Sequence, residues 1–313
     1  MIRTSHYLFA ALCLGSLFAC SRQFTDSYIV PKWCFAVFML FIVLAYEAVN
    51  ILFYRQNEQK DTRISVYGFI IVISCFLQAM FGVVQFFGFF QISTTLWVTG
   101  SFDNPAGFAA CLCAGFPFVG FLLSDSNKYI RYVGGLIGFV IVIAVILSQS
   151  RAGIMSIAFI CFILLNMKFF HKRWVKYLSL LCFALLLSGC YWMKKDSADG
   201  RLLIWRCSVS MVKDAPWLGH GIGSFEARYM DYQADYFRQY GLNRYSMLAD
   251  NVKHPFNEYL GVLLNFGFVG LLMILALITL LIYCYKKHPC AEKRIAFYSL
   301  ISIGVFSFFS YTF

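Results

Sequence analysis

The chain has 313 residues, 60% of them hydrophobic and only 13% charged. Soluble domains carry about 25% charged residues, so half that share with long apolar runs excludes a soluble globular protein and makes the bilayer the solvent. A net charge of +11 is by itself a signal for nucleic acid. In a polytopic chain, however, basic residues gather at the cytoplasmic ends of spans, so their distribution decides.

A membrane helix needs about 20 consecutive apolar residues. That rule predicts spans near 5–21, 33–53, 66–90, 105–123, 130–148, 152–169 and 177–193, then 255–284 and 295–313. The expected fold is an all-α polytopic membrane protein with about nine transmembrane helices and one large helical extracytoplasmic loop. Its parts are an N-terminal bundle over 1–193, a loop over 194–254, and C-terminal helices over 255–313. The first segment ends Leu17-Phe18-Ala19-Cys20, which is similar to a lipoprotein processing site. Phe18 is bulky for that role and further spans follow, so it reads as a first, short membrane helix. The last span runs to Phe313 without a polar end, and a C-terminal truncation is expected. Most cysteines lie in apolar spans (Cys75, Cys111, Cys113, Cys161, Cys182), and only Cys207 sits clearly in the loop. Such cysteines act as small hydrophobes, and no disulfide framework is expected.

With the N-terminus inside, the inner segments hold Arg3, Arg55, Lys60, Arg63, Lys128, Arg131, Lys168, Lys172, Arg173, Lys176, Lys286, Lys287, Lys293 and Arg294. The short outer loops hold Arg22, Lys32 and Arg151. This bias of fourteen to three accounts for most of the net charge, and no nucleic-acid partner is needed. It also puts loop 91–104, the turn Ser148-Gln149-Ser150-Arg151-Ala152-Gly153 and the loop 194–254 on one outer side. A basic residue kept there against the bias, at a membrane boundary, is a functional flag.

Within the loop, Leu202, Trp205, Val209 and Val212 recur at helical spacing and predict an amphipathic helix from Leu202 to Lys213. Pro216 ends that stretch, and Gly219, Gly221 and Gly223 predict a turn. Ser224 to Tyr240 predicts a second helix rich in Phe and Tyr. Its aromatic face would lie in the membrane interface and pack the loop against the membrane, or stack on sugar rings.

The histidines divide by side. His6, His171 and His288 fall inside beside basic residues and read as solvated boundary residues. His220 and His254 fall outside, and neither has a second His at metal-ligand spacing, so no metal site and no cofactor are expected. His254 precedes Pro255, which suits a first helical position. A helix starting at His254 would put Glu258 one turn on, within reach of the imidazole. Histidine is the side chain suited to accept a proton near neutral pH, which makes His254 and Glu258 the catalytic candidates. Arg151 and Arg201 are candidate anion clamps, because a guanidinium stays charged and presents a planar fork of donors. Both fall at expected element starts, where backbone N–H groups also favour anions. Two other readings stay open: Arg201 paired with Asp199, or both arginines bound to lipid headgroups. Glu47, inside the second span, is an intramembrane acid with Tyr46 and Asn50 nearby to satisfy it.

Taken together, these residues resemble the O-antigen ligase / O-antigen polymerase family of bacterial membrane glycosyltransferases. Gly100-Ser101-Phe102-Asp103-Asn104-Pro105 with Ala109 resembles the family's Gly-x-Phe-x-Asn-Pro segment, and Ser150-Arg151-Ala152-Gly153 its Ser-Arg-x-Gly turn. Gly200-Arg201 with Trp205, then Pro216, Gly219, Gly221, Gly223 and Phe225, resembles its loop start. Asn257-Glu258-Tyr259-Leu260 with Gly267 and Gly270 resembles its final signature. The resemblance implies metal-independent transfer of a glycan from undecaprenyl diphosphate to an acceptor hydroxyl, lipid A–core for a ligase. The site would face the periplasm from the bacterial inner membrane. Arg151 and Arg201 would hold the diphosphate, a histidine would act as base, and Asn104, Asn257 and Trp205 would support them. The expected partners are the lipid-linked oligosaccharide, the lipid A–core or glycan acceptor, and membrane lipids. The family usually has His directly before the Asn, nine residues ahead of Gly-x-x-Gly. Here Phe256 stands in that place and His254 lies two residues earlier.

Within the family, the alternatives are a polysaccharide polymerase and a protein O-oligosaccharyltransferase. Outside it they are a transporter of a lipid-linked or anionic solute and a non-catalytic assembly partner. A transporter would more often show broken membrane helices or inverted repeats, and the sequence shows neither.

Overall fold

A computed structural model describes residues 4–21, 23, 27, 29–53, 60–89, 98–168, 173–193, 195–287 and 290–310, and no strand occurs among them. The first helices are α1 (Thr4–Phe18), α2 (Ile29–Phe53) and α3 (Lys60–Phe86). Next come α4 (Pro105–Gly115), a short 3₁₀ turn, α5 (Val119–Leu123), α6 (Lys128–Leu147), α7 (Arg151–Lys168) and α8 (Arg173–Met193). The loop region holds α9 (Lys195–Asp214), α10 (Ser224–Tyr240) and a 3₁₀ turn at Ser246–Leu248, and α11 (Glu258–Lys287) and α12 (Ala291–Phe309) follow. Helical segments overlap the expected spans, 105–123 as α4, the 3₁₀ turn and α5 in succession. Among the described residues five segments are long and apolar enough to cross a membrane: Ile29–Val49, Val66–Phe86, Pro105–Leu123, Lys128–Leu147 and Glu258–Lys287. The expectations resting on Arg3, Arg22, Arg55, Lys172, His171, His288 and loop residues 91–97 lie outside the described residues.

The chain divides into two compact units, Met1–Ile157 with Cys290–Ile303, and Ala158–Pro289 with Gly304–Phe313. In the first unit, polar side chains inside apolar helices hydrogen-bond to backbone groups or to other polar side chains. Gln85 Oε1 accepts from the N–H groups of Thr99 and Gly100, both at 2.9 Å, and Gln78 Nε2 donates to Ser101 Oγ at 2.9 Å. Ser302 Oγ donates to Cys113 O at 2.8 Å and Ser156 Oγ to Ser302 O at 2.6 Å, tying α4, α7 and α12 in the way polar side chains join membrane helices. Lys32 Nζ donates to Leu17 O at 2.7 Å and Ala19 O at 3.0 Å, so it caps the orphan carbonyls at the end of α1. One expectation changes in this unit. His6 is buried against the Tyr67 ring, 5.0 Å between centroids, and is not a solvated boundary residue. Glu47 accepts from the Tyr67 hydroxyl of α3 at 3.3 Å.

The second unit contains a folded core that belongs to the loop. Leu203, Ile204, Cys207 and Met211 of α9 pack with Phe225 and Tyr229 of α10, Tyr245, and Leu264 of α11. Phe225 and Tyr229 stack with centroids 4.9 Å apart. The aromatic face of α10 is thus turned toward α9, a packing against its own loop that neither the membrane-facing nor the sugar-stacking expectation included.

The same unit overturns the expectation of unbroken helices. α11 is interrupted at Gly267, whose φ of 62° and ψ of −158° are not helical. A break strands the last carbonyls of the first half and the first N–H groups of the second. The turn after α9 supplies both sets of partners. His220 N donates to Leu264 O at 2.7 Å and Gly221 N to Asn265 O at 3.1 Å. In return Phe268 N donates to Pro216 O at 2.8 Å and Val269 N to Trp217 O at 3.2 Å. The approach is close enough that a Cβ on Gly267 would collide with the Trp217 carbonyl, and one on Gly219 would lie 2.6 Å from Leu264 O. Glycine is required at both places by φ and by space.

Candidate functional site

Two of the expected site residues, Asn104 and Arg151, lie in the first unit. Asn104 caps α4: its Oδ1 accepts from Gly107 N at 2.8 Å, with Pro105 at the first helical position. Arg151 opens α7, as expected. Ser150 Oγ accepts from Gly153 N at 3.3 Å, so the serine of the Ser-Arg-x-Gly turn caps the helix. Its glycine is needed for packing, because a Cβ on Gly153 would come within 2.9 Å of Ala109 Cβ and Val145 Cγ1. The turn before it is tight, with Gln149 at a φ of 54°.

The other five residues lie in the second unit. α9 begins at Lys195, earlier than the hydrophobic spacing suggested, which puts Arg201 inside a helix and not at an element start. No helix-terminus N–H groups therefore add to anion binding at Arg201. Arg201 and Trp205 are four residues apart and share one face of α9. Both reach the segment that leads into α11. Trp205 Nε1 donates to Pro255 O at 3.0 Å, and its ring meets Phe308 edge-on at 5.8 Å. The Arg201 guanidinium lies over the Phe256 ring, 5.1 Å from its centroid, and Nη1 donates to Phe309 O. A cation over an aromatic face is attracted by the ring quadrupole, so Phe256 holds the guanidinium in orientation.

The lead-in to α11 corrects a second expectation. The helix starts at Glu258, not at His254, and Pro255 is not its first residue. The cause is Phe256, whose φ of 52° lies in the left-handed region that a bulky residue rarely adopts. Asn257 then acts as the cap: it is buried, Oδ1 accepts from Leu260 N at 3.1 Å, and its carbonyl accepts from Gly261 N at 3.0 Å. Glu258 is partly buried in the first turn, whereas His254 is exposed. Tyr259 Oη donates to Gly304 O at 2.9 Å, so the end of α12 closes over the same lead-in. His220 has a structural role. Its Nε2 meets Met211 O at 2.7 Å, and its Nδ1 meets Arg228 Nη1 at 3.0 Å.

The sequence does not mark Phe256, Phe308, Phe309 and Tyr259 as neighbours of the Arg201 region. Its usable signal is the spacing of Arg201 and Trp205 on one helix face. Nothing in the sequence points that face at residues 255–256.

The fold and these side chains define a polytopic helical membrane protein that carries a folded domain between its spanning helices. Residues 136–275 match the family model described as O-antigen ligase, the family that the four motifs resemble. The family implies ligase-type glycosyl transfer between a lipid-linked glycan and a glycan acceptor in a membrane. Neither a curated protein nor a solved structure gives a significant match.

Proposed function

We propose that the chain transfers a glycan from undecaprenyl diphosphate to an acceptor hydroxyl, that of lipid A–core, at the periplasmic face of the bacterial inner membrane. The observation that carries this reading is that the family match over 136–275 encloses Arg151, Arg201, Trp205, His254, Asn257 and Glu258. The acceptor oxygen attacks the anomeric carbon from the face opposite the leaving group. The bond from that carbon to the diphosphate oxygen breaks, and the electron pair leaves with the diphosphate. Arg151 and Arg201 hold the diphosphate through charge-assisted N–H donors, a stabilisation that needs no metal. Arg201 is pre-oriented for this by the Phe256 ring and the Phe309 carbonyl. The acceptor proton goes to His254, with Glu258 at the start of α11 as the neighbouring carboxylate. A positioned base of this kind contributes about 10²–10⁴-fold.

The test is to incubate the purified protein with lipid-linked oligosaccharide and lipid A–core, and to follow polyprenyl diphosphate release with glycan transfer. Arg151→Ala abolishes transfer while protein level holds; near-normal activity in that variant rejects the clamp. Product on another glycan repeat or on a protein, in place of lipid A–core, would reassign the acceptor to the polymerase or protein-glycosylating branch.

A further inference from the structure

The turn that fills the break in α11 carries three large apolar side chains that face outward. Trp217 is 70%, Leu218 75% and Ile222 83% exposed. We propose that residues 216–222 form an interfacial anchor, seating these side chains in the headgroup layer and upper acyl region of the bilayer beside the break.

The depth of the turn is fixed by its hydrogen bonds. Four backbone bonds join residues 216–221 to residues 264–269 of α11, so the turn lies at the level of Gly267 wherever α11 sits. That level follows from the second half of the helix. Residues 268–287 are apolar up to Lys286-Lys287, and about 20 residues of helix rise ~30 Å. This equals the roughly 30 Å hydrocarbon core. With the lysines at one boundary, the break falls at the other.

The apolar surface is continuous across the junction. Phe268, Leu272 and Met273 are exposed on the spanning half of α11, a face that lipid covers. Trp217 meets Phe268 edge-on at 6.0 Å and extends that face into the turn. Tryptophan is enriched at this boundary, because its ring is apolar and its N–H is polar. The aromatic helix α10 does not compete for the role, since Phe225 and Tyr229 are buried in the loop's own core. Glu258 lies about nine residues, or ~14 Å of helix, before the break. The anchor therefore holds the start of α11 and the Arg201 cluster at headgroup height. The inference needs only that α11 spans the membrane and is independent of the transfer reaction.

The test compares full-length protein and its Trp217→Phe variant in two kinds of vesicle: plain phosphatidylcholine, and phosphatidylcholine brominated on the upper acyl chain. The difference between the two emission spectra reports Trp217. The expected result is that this difference signal loses most of its intensity in the brominated vesicles and is insensitive to iodide in the aqueous phase. Quenching by iodide and not by bromolipid would overturn the anchor, and so would quenching by neither, which means that protein covers the ring. A photo-crosslinking residue at Ile222 gives a second readout. Adducts with lipid support the anchor, and adducts only with another polypeptide overturn it.

Discussion

Replacing Gly267 by alanine tests the junction between the loop and α11 directly. The native φ of 62° and ψ of −158° fall in a region open essentially to glycine, and holding another residue there costs about 1–3 kcal/mol. The added methyl also meets the Trp217 carbonyl, so the turn must retreat. Retreat breaks four backbone hydrogen bonds, each with a net contribution of roughly 0.5–1.5 kcal/mol. Alanine is the best helix former, so α11 can close into a continuous helix and recover bonds of its own. The clipped arrangement nevertheless loses at least ~3 kcal/mol relative to that alternative. At 1.4 kcal/mol per decade this is about a hundredfold in its population. Hydrogen exchange in detergent or nanodiscs reads this at named amides. In the wild type, His220 and Gly221 are protected by α11. In Gly267→Ala both lose protection together by about a hundredfold. Phe268 and Val269 stay protected, now by the continuous helix. Wild-type protection at His220 and Gly221 in the variant would refute the reasoning, because among the described residues Leu264 O and Asn265 O are the acceptors of those two amides.

Three further outcomes are expected. His254→Ala lowers turnover by about 10²–10⁴-fold without loss of folded protein, since the side chain is exposed; an unchanged rate assigns the proton to another group. Trp205→Phe leaves the Pro255 carbonyl without its donor, costs about 1–2 kcal/mol, and lowers the thermal midpoint of the loop, with faster proteolysis near residues 249–257. Alkaline pH destabilises the loop core. Burial raises the Cys207 thiol from 9.0 to about 11 and the Tyr229 hydroxyl from 10.0 to about 12. Both groups favour the protonated form when folded, so stability is fully present below pH 9 and falls as pH rises toward 11. A thermal midpoint that stays flat from neutral pH to pH 11 would contradict this.

Much of the helical plan is legible in the residue pattern. α10 is found at Ser224–Tyr240, because its amphipathic period is strong and glycines bracket it. The three glycines before it adopt positive φ, as a turn requires. The start of α9 is hidden because Asp196, Ser197, Asp199 and Gly200 carry no apolar period. Tertiary contacts recruit them: Asp199 is buried and accepts from the Tyr191 hydroxyl at 3.1 Å. The start of α11 is misjudged for a related reason. Pro255 looks like a first helical residue, but the left-handed Phe256 delays the helix until Asn257 can cap it. The break at Gly267 is invisible within an unbroken apolar stretch, since the partners that stabilise it come from residues about fifty positions earlier.

The loop between α8 and α11 has its own interior, from Leu203 through Tyr229 to Leu264. A segment built this way does not wait for a ligand to acquire its shape. Any molecule that comes to lie under this region must therefore find space already present beside it or displace the folded loop as one piece. Substitutions on the outside of the loop should accordingly be tolerated, while its interior tolerates little drift.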